Sequence, residues 1–523
     1  MNRRAFLSRS AAGWAALPST GAISAGQAAG SRSARLDPKL RIIQVDDMGN
    51  ISYMAKPPSR RDIEEYVARF ANKGVDVVVF DLANADQCVY RSKVTETWPP
   101  RNGEGLGEPL KTMFRYPIRN VWHMIDSGID LPAVLAAACH RNGLQFWAGI
   151  RLNTSNYRTR IKAEHPEWLL PIGPHIIPGC LDYEQPEVRA HVLDQAREFV
   201  AGYDADGLYL NFVRYQGMFH PDRAHKMGPL VAGWLGEIRS MLGQTTAKKG
   251  KAYLPLGVQV FSRIPDGLRF GQDYALWAKQ GVVDYLCPGR ENHMDFNLPV
   301  EQWMEVIQGT HCRLFPVLQP NLGYPMGTVD NEMTRDKFRA AVHNYYQGGA
   351  HGLSSMNLMD NNTLARELRE PEQVAAGRHH YHFASPAFSS FDGNLNYKLE
   401  PNVERQDYRF RVWTDASRRE PGSLRVTLAS VHASDEIEID LNRAPLPKVP
   451  AWNAEGTAAG ARLVHPRTLV EGGNSGLAGY RYEVSLAGLP LRKGENSLGL
   501  RVVSRDPGAS GAHPALRGIE VLL

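Results

Sequence analysis

The sequence predicts an α/β chain, a (β/α)8 TIM barrel followed by a C-terminal antiparallel β-sandwich. Three observations predict it. Eight short β-rich runs alternate with amphipathic helical stretches between about residues 41 and 357, which is the pattern of a parallel sheet. No Gly-x-Gly-x-x-Gly follows the first run, which counts against an open dinucleotide-binding sheet. Beyond residue 396 the apolar period drops to two, as in half-buried antiparallel strands. The length of 523 residues holds one barrel of about 250 residues plus a second domain.

The first run is Arg41-Ile-Ile-Gln-Val-Asp-Asp47, and a helix follows from Ser59 to Asn72. The second run, Val75 to Asp81, is rich in β-branched valine, with Val77-Val78-Val79-Phe80 a continuous apolar stretch as in a strand buried on both faces. A Pro-, Gly- and aromatic-rich insertion covers 84–126. The helix Leu131 to Asn142 ends at Gly143 and leads into the third strand, Leu144 to Ile150. A helix opened by Pro186-Glu187 precedes the fourth strand, Gly207 to Phe212. Then come the helix Gly228 to Leu242, the strand Leu254 to Phe261, the helix Gly271 to Gln280 and the strand Val283 to Cys287. The helix Val300 to Gln308 precedes the strand Arg313 to Leu318. Thr334 opens a helix to Tyr346, and Gly352 to Asn357 is the eighth strand.

The alternating segments of the second domain are Tyr408–Trp413, Ser423–Leu428, Glu436–Leu441, Tyr480–Val484, Asn496–Val502 and Gly518–Leu522. The expected boundaries are a leader at 1–28, a barrel at 40–378, a linker at 379–395 and a sandwich at 396–523. The leader reading rests on Arg3-Arg4-Ala5-Phe6-Leu7, an Ala/Gly-rich stretch to Ile23 and small residues through Ala28. That is the layout of a cleavable twin-arginine signal, so the expectation is export to the periplasm or beyond. No segment approaches 18 apolar residues, so no stable membrane insertion is expected.

Hydrophobic residues make up 43 % and charged residues 22 %, an ordinary globular balance. The net charge of +5 is scattered rather than clustered, which argues against a nucleic-acid partner. The five cysteines, Cys88, Cys139, Cys180, Cys287 and Cys312, show no metal-ligand spacing and read as buried small residues. An exported chain leaves room for one disulfide among them. No His-Glu-x-x-His occurs, and the dense His379-His380-Tyr381-His382 falls in the expected linker, so no metal and no cofactor is assigned.

In a barrel the site lies where the strands end. The strand ends here carry Asp46, Asp47, Asp81, Asn84, Asp86, Arg151, Asn153, Asn211, Arg214, Gln259, Ser262, Arg263, Arg290, Glu291, His293, Asp295, Gln319, Asn321, Asn357 and Asp360. Such a rim suits a polyhydroxylated ligand, because sugar hydroxyls need paired donors and acceptors.

Several segments resemble one family in order and spacing. They are Cys139-His140-Arg-Asn-Gly143 with its strand, His165-Pro166-Glu167-Trp168-Leu169, Leu181-Asp182 with Pro186-Glu187-Val188-Arg189, and Tyr203-Asp-Ala-Asp-Gly-Leu-Tyr-Leu-Asn211-Phe-Val-Arg214. Looser matches at Val283–Leu286 and Gly348–Gly352 extend the likeness to about residue 358. The set resembles the "family 10-like" group of (β/α)8 glycoside hydrolases. The piece Leu491-Arg-Lys-Gly-Glu-Asn-Ser-Leu498 resembles the last hairpin of jelly-roll modules appended to secreted carbohydrate enzymes. The family likeness implies an exported glycosidase acting on an oligo- or polysaccharide through carboxylate acid/base chemistry. In that family the fourth strand commonly ends Leu-Asp-Phe-x-Arg, and here the Asp position is Asn211. An amide cannot act as carboxylate nucleophile or ionised base, and glycoside hydrolysis normally needs two carboxyl groups.

Glu291, flanked by Arg290 and His293, is therefore the first candidate for acid or base, with Asp81 or Asp47 as its partner. Asp295 is the second choice in the Glu291 loop. Asp46, Arg151, Asn153, Asn211, Arg214, Gln259, His293, Asp295 and Asn357 are candidate substrate-binding residues. Arg151 and Arg214 would suit an acidic sugar, or instead pair with the rim carboxylates. Trp122, Trp147 and Tyr215 are candidates for stacking on sugar rings, and Trp168 reads as packing. Two other readings stay open: a non-hydrolytic carbohydrate-binding barrel, favoured by Asn211, and a polysaccharide lyase, favoured by the arginines.

Overall fold

The structure is a computed structural model. It describes residues 36–47, 49–154, 159–171, 178–214, 217–251, 253–291, 293–322, 332–357, 364–384, 399, 404–416, 422–431, 435–447, 461–464, 479–505 and 513–523. The expected leader, Tyr215 and Asp360 lie outside these.

Eight parallel strands form the barrel: β1 (Ile42–Asp47), β2 (Val77–Asn84), β3 (Gln145–Arg151), β4 (Gly207–Asn211), β5 (Leu256–Val260), β6 (Tyr285–Pro288), β7 (Arg313–Leu314 and Val317–Leu318) and β8 (Leu353–Met356). Each pairs with the next, and β8 pairs back onto β1. Pro316 breaks β7, since a proline has no N–H to donate. The piece before it pairs with β6 and the piece after it with β8, so the ring closes through one bent run.

The helices α1 (Arg60–Ala68), α2 (Leu131–Arg141), α3 (Pro186–Gly202), α4 (Gly228–Lys249), α5 (Tyr274–Gln280), α6 (Val300–Ile307) and α7 (Arg335–Gln347) separate the strands. Their ends follow local chemistry. Ser59 and Asp62 form a reciprocal capping box on α1, and Thr334 Oγ1 accepts from Lys337 N on α7. Gly281 ends α5 in the left-handed conformation. The Pro-, Gly- and aromatic-rich insertion at 84–126 holds two α-helices, Glu108–Met113 and Arg115–Asp126. The second is amphipathic and buries Val121 and Met124.

Strand alternation sorts side chains into two shells. Outward residues such as Val78, Phe80, Phe146, Leu208 and Val258 pack under the helices. Inward residues Ile43, Val45, Val77, Val79, Trp147, Tyr209, Tyr285, Phe315 and Val317 fill the barrel. Trp147 and Tyr209 need space beside them. A Cβ on Gly207 would lie 2.7 Å from the Trp147 ring, and one on Gly257 would lie 2.9 Å from Tyr209. Small residues on one strand thus admit aromatics from the neighbour, giving a solid core.

The second domain is a pair of antiparallel sheets. The first has the order His380–Ala384, Ala515–Leu522, Ser423–Ala429, Gly479–Ser485, Ala461–Val464. The second has the order Gln406–Val412, Gly494–Ser504, Glu436–Leu441, Ala444–Pro445. Leu424, Val426 and Val521 of one sheet, and Phe410, Val412, Leu498 and Leu500 of the other, are buried. His380–Ala384, placed in the linker by its sequence, is an edge strand paired with Ala515–Leu522. Its short length and mixed His/aromatic content hid the alternation.

Asn344 on α7 joins the two domains. It donates to Phe296 O (3.1 Å) and Arg411 O (2.8 Å) and accepts from Trp413 N (3.1 Å). Glu301 on α6 pairs with Arg411 at 2.8 Å.

Candidate active site at the barrel mouth

The inward positions at the C-terminal strand ends are Asp47 on β1, Asp81 on β2, Arg151 on β3, Asn211 on β4 and Gln259 on β5. Each continues the inward series Ile43–Val45, Val77–Val79, Trp147, Tyr209 and Gly257 by steps of two. The period therefore decides between the neighbouring acids of β1. Asp47 points into the mouth. Asp46 points outward, where it accepts from Tyr66 OH on α1 and from Asn50 Nδ2 (3.1 Å). Its expected contact with substrate is corrected to a strand-to-helix tie.

Arg151 is buried and sits between two acids. Its Nε donates to Asp81 Oδ2 at 2.6 Å, and its Nη2 lies 2.8 Å from Asp47 Oδ1. Gly149 permits this, since a Cβ there would lie 2.8 Å from Asp81 Cα. A bulge in β2 at Leu82 shifts the register after Asp81, bringing Asn84 rather than Ala83 opposite Arg151. Glu291, in the loop after β6, pairs with Arg214 Nη1 at 2.6 Å. Glu291 also acts electrostatically on both Asp81 and Arg151. Asp47, Asp81 and Glu291 are thus one cluster around two guanidiniums.

That count leaves one negative charge in excess. Asp81 is the deepest of the three, at 2 % exposure, and burial pushes its carboxyl up to about 6. Arg151 works against the rise, while Asp47 and then Glu291 add to it. Asp81 Oδ1 and Glu291 Oε2 are buried atoms with no hydrogen-bond partner among the described residues. The side chains of Asp47 and Glu291 keep 26 % and 16 % of their surface, so these two face the opening.

Asn211 is committed to the fold. Its Oδ1 accepts from Val213 N and Arg214 N (both 2.9 Å), and its Nδ2 donates to Gln259 Oε1 (3.1 Å). It thereby shapes the turn that carries Arg214. Asn153 is likewise occupied, donating to Gly217 O (2.7 Å) and accepting from Leu181 N (2.8 Å). Asn357 takes a left-handed conformation (φ 51°) and accepts from Asp47 N (2.8 Å) and Asn50 Nδ2 (3.0 Å). It positions the backbone of Asp47.

His293 and Asp295 belong to a second group beside the cluster. Asp295 pairs with Arg263 at 2.6 Å. Burial works to raise its carboxyl, but Arg263 and Arg290 outweigh that and hold it at about 2. His293 is pushed down to about 3 by burial and by Arg290, so it is neutral at ordinary pH. Asp295 O also accepts from Tyr345 OH (2.6 Å), which ties this loop to α7.

Trp147 is fully buried inside the barrel, so its expected role as a sugar platform is corrected to packing. Trp122 donates to Pro99 O (2.9 Å) beneath the Arg101 guanidinium. Trp168 stacks on His165 at 4.1 Å, as packing requires. All five cysteines are buried and none is disulfide-bonded. Asp204 and Asp206 bind Lys251, and Asp284 binds Arg239 and His311, all structural contacts.

Sequence reasoning missed Lys162. Its Nζ lies 2.9 Å from buried Asp86, which also accepts from Thr154 and Thr159 (both 2.9 Å). This knot pins the loop after β3 against the end of β2. The lysine lies in an insertion with no periodicity to flag it.

The ring and its mouth define the class of protein: a closed (β/α)8 barrel with clustered carboxylates at its C-terminal face and a β-sandwich behind. No family model matches the sequence. No curated protein matches it. Solved structures that it resembles include several diverse glycoside hydrolases at low identity. They include the alpha-L-fucosidase isoenzyme 2 from Paenibacillus thiaminolyticus (14 % identity, 66 % of this chain and 51 % of that one, TM-score 0.38). A second is the PgaB (BpsB) glycoside hydrolase domain from Bordetella bronchiseptica (13 %, 63 % and 98 %, TM-score 0.38). A third is an alpha-amylase from Geobacillus thermoleovorans (12 %, 89 % and 99 %, TM-score 0.37). The chain spans about half the length of the fucosidase it matches.

Proposed function

We propose that this chain is an exported glycoside hydrolase of the family 10-like barrel group, cleaving an oligo- or polysaccharide at the barrel mouth. The observation that carries the reading is the gathering of Asp47, Asp81 and Glu291 around Arg151 and Arg214. Glu291 and Asp47 face the opening and serve between them as acid and base. Asp81 lies beneath them and is a positioning residue. A proton on Asp81 leaves the charge of Arg151 to Asp47, and loss of that proton divides it between two acids. The charge at the mouth is therefore set near pH 6.

Both arginines are already engaged by carboxylates, so an acidic sugar would have to displace Asp47 or Glu291. A neutral sugar is the better fit, and the lyase reading loses its main support. Export rests on the Arg3-Arg4-Ala5-Phe6-Leu7 leader. Substitution of both arginines by lysine should retain the chain in the cytoplasm on cell fractionation.

The test is a screen of glycans with reducing-end detection. New reducing ends without the absorbance of an unsaturated uronate support hydrolysis. One observation favours the binding reading: each of the three mouth carboxylates is ion-paired, and Asn211 is hydrogen-bonded to its own loop. Glycan binding with no cleavage at any pH would replace the hydrolase by a carbohydrate-binding barrel.

A further inference from the structure

The His379-His380-Tyr381-His382 run does not behave as a unit once folded. His379 turns inward, with Nδ1 to Thr414 Oγ1 at 2.5 Å and Nε2 to Val374 O at 2.8 Å. Tyr381 is fully buried. His380 and His382, two residues apart on an edge strand, share the opposite face. Their rings are nearly parallel, 6.2 Å apart with 17° between planes.

The neighbouring strand supplies a carboxylate to the same face. His382 pairs in register with Glu520. His380 Nε2 lies 2.6 Å from Glu520 Oε2, and His382 Nδ1 lies 3.9 Å from that same oxygen. The three ligand atoms all fall within 4.8 Å of one another. Glu520 is buried, while the histidines keep about a sixth of their surface (18 % and 17 %). A cavity of about 710 Å³ borders His380 and is also lined by Asp336 and Glu483.

We propose that His380, His382 and Glu520 form a site for one divalent cation of the Zn²⁺ class. Two imidazoles and a carboxylate are the donor set that such a borderline ion takes, at about 2.0–2.2 Å from each atom, with the fourth position left to water. The three ligand atoms already lie within 4.8 Å of one another, so gathering them on one ion takes only a short inward movement. Binding replaces the His380–Glu520 hydrogen bond by bonds from both groups to the ion, and a proton on His380 Nε2 passes to Nδ1 or to solvent. Arg425 Nη1, 3.9 Å from Glu520 Oε2, is the competing cation. It has a second partner, Glu483, at 3.1 Å, to which it turns when the ion enters. The ion would fasten the edge strand His380–Ala384 to Ala515–Leu522, where the chain passes from barrel to sandwich.

The experiment uses the full chain, purified without a histidine tag and stripped with a chelator. Zn²⁺ uptake is measured by equilibrium dialysis and Co²⁺ uptake by its visible d–d absorption. The expected result is one equivalent bound, a tetrahedral Co²⁺ spectrum and a higher Tm with Zn²⁺. His380→Asn and His382→Asn should each lose that equivalent, and Glu520→Gln should weaken it about tenfold or more. Arg425→Gln keeps all three ligands and removes the competitor, so it should bind severalfold tighter. That variant guards against loss of binding through misfolding. No stoichiometric binding by the wild type, equal binding by the histidine variants, or unchanged affinity in Arg425→Gln would each overturn the proposal.

Discussion

Arg151 Nε donates to Asp81 Oδ2 at 2.6 Å inside the mouth of the barrel, with both side chains buried. The same guanidinium reaches Asp47, so one cation holds two acids from neighbouring strands. This arrangement couples stability, pH response and the proposed chemistry.

Removing Arg151 should be costly. Arg151→Ala leaves Asp81 buried without its partner, and breaking a buried pair from one side costs about 3–5 kcal/mol. Arg151→Lys keeps the charge but loses the planar fork, so its loss should be intermediate. Denaturant unfolding ranks the three proteins. Equal midpoints for wild type and Arg151→Ala would remove the pair from any account of barrel stability.

Asp81 predicts a pH effect of definite sign. Its folded carboxyl sits at about 6 against an ordinary 3.8. Between these values the folded state holds a proton that the unfolded state has released. Its stabilisation is therefore full below about pH 4 and lost as pH rises through about 6, on the order of 3 kcal/mol at ~1.36 kcal/mol per pKa unit. Asp81→Asn cannot titrate, and its Tm should decline less than that of the wild type across this window. Parallel Tm–pH curves would contradict the shift.

Glu291 faces the opening and is expected to take part in catalysis. Glu291→Gln keeps shape and removes the carboxylate. On a glycan cleaved by the wild type, turnover should fall by about 10²–10⁴, the usual worth of an acid or base. Circular dichroism would check that the fold is kept. Unchanged turnover would eliminate this residue from the mechanism.

Asn211 is predicted to be tolerant. In Asn211→Asp the carboxylate still accepts from Val213 N and Arg214 N. Gln259 can turn its amide, whose Nε2 has no hydrogen-bond partner among the described residues, to donate to it. Turnover should stay within about tenfold of wild type. A drop comparable to that of Glu291→Gln would assign Asn211 a direct role.

Gly207 tests the filled interior. A methyl group there meets the Trp147 ring at 2.7 Å, and overpacking a tight core costs about 1–3 kcal/mol. Gly207→Ala should lower Tm, while Gly202→Ala, with nothing within 4 Å of its added Cβ, should not. Equal Tm values would show that the barrel yields more than its packing suggests.

Much of the site was legible because strand ends are local features. Asp47, Asp81, Arg151 and Glu291 each terminate a β-rich run or follow it closely, and a parallel barrel brings such ends together. Their partnerships were not legible. Whether Arg151 would meet a substrate or a carboxylate depends on how closely β2 and β3 approach, and the lack of a Cβ at Gly149 lets the backbone at Asp81 come close. Trp147 misled for a related reason. Its residue type suits a sugar platform, but its inward position four residues below the strand end buries it.

The sequence by itself determined the order of strands and helices, the change of period between the two domains and the residues at the mouth. Periodicity and caps act over a few residues, so they survive in a linear string. Tertiary structure decided the rest. It closed the ring through the bent run at Pro316 and turned Asp46 away from the mouth. It committed Asn211 to a turn and set His380 and His382 against Glu520, some 140 residues away in the chain. Each of these depends on contacts between distant segments, whose geometry is set only when the barrel and the sheets pack.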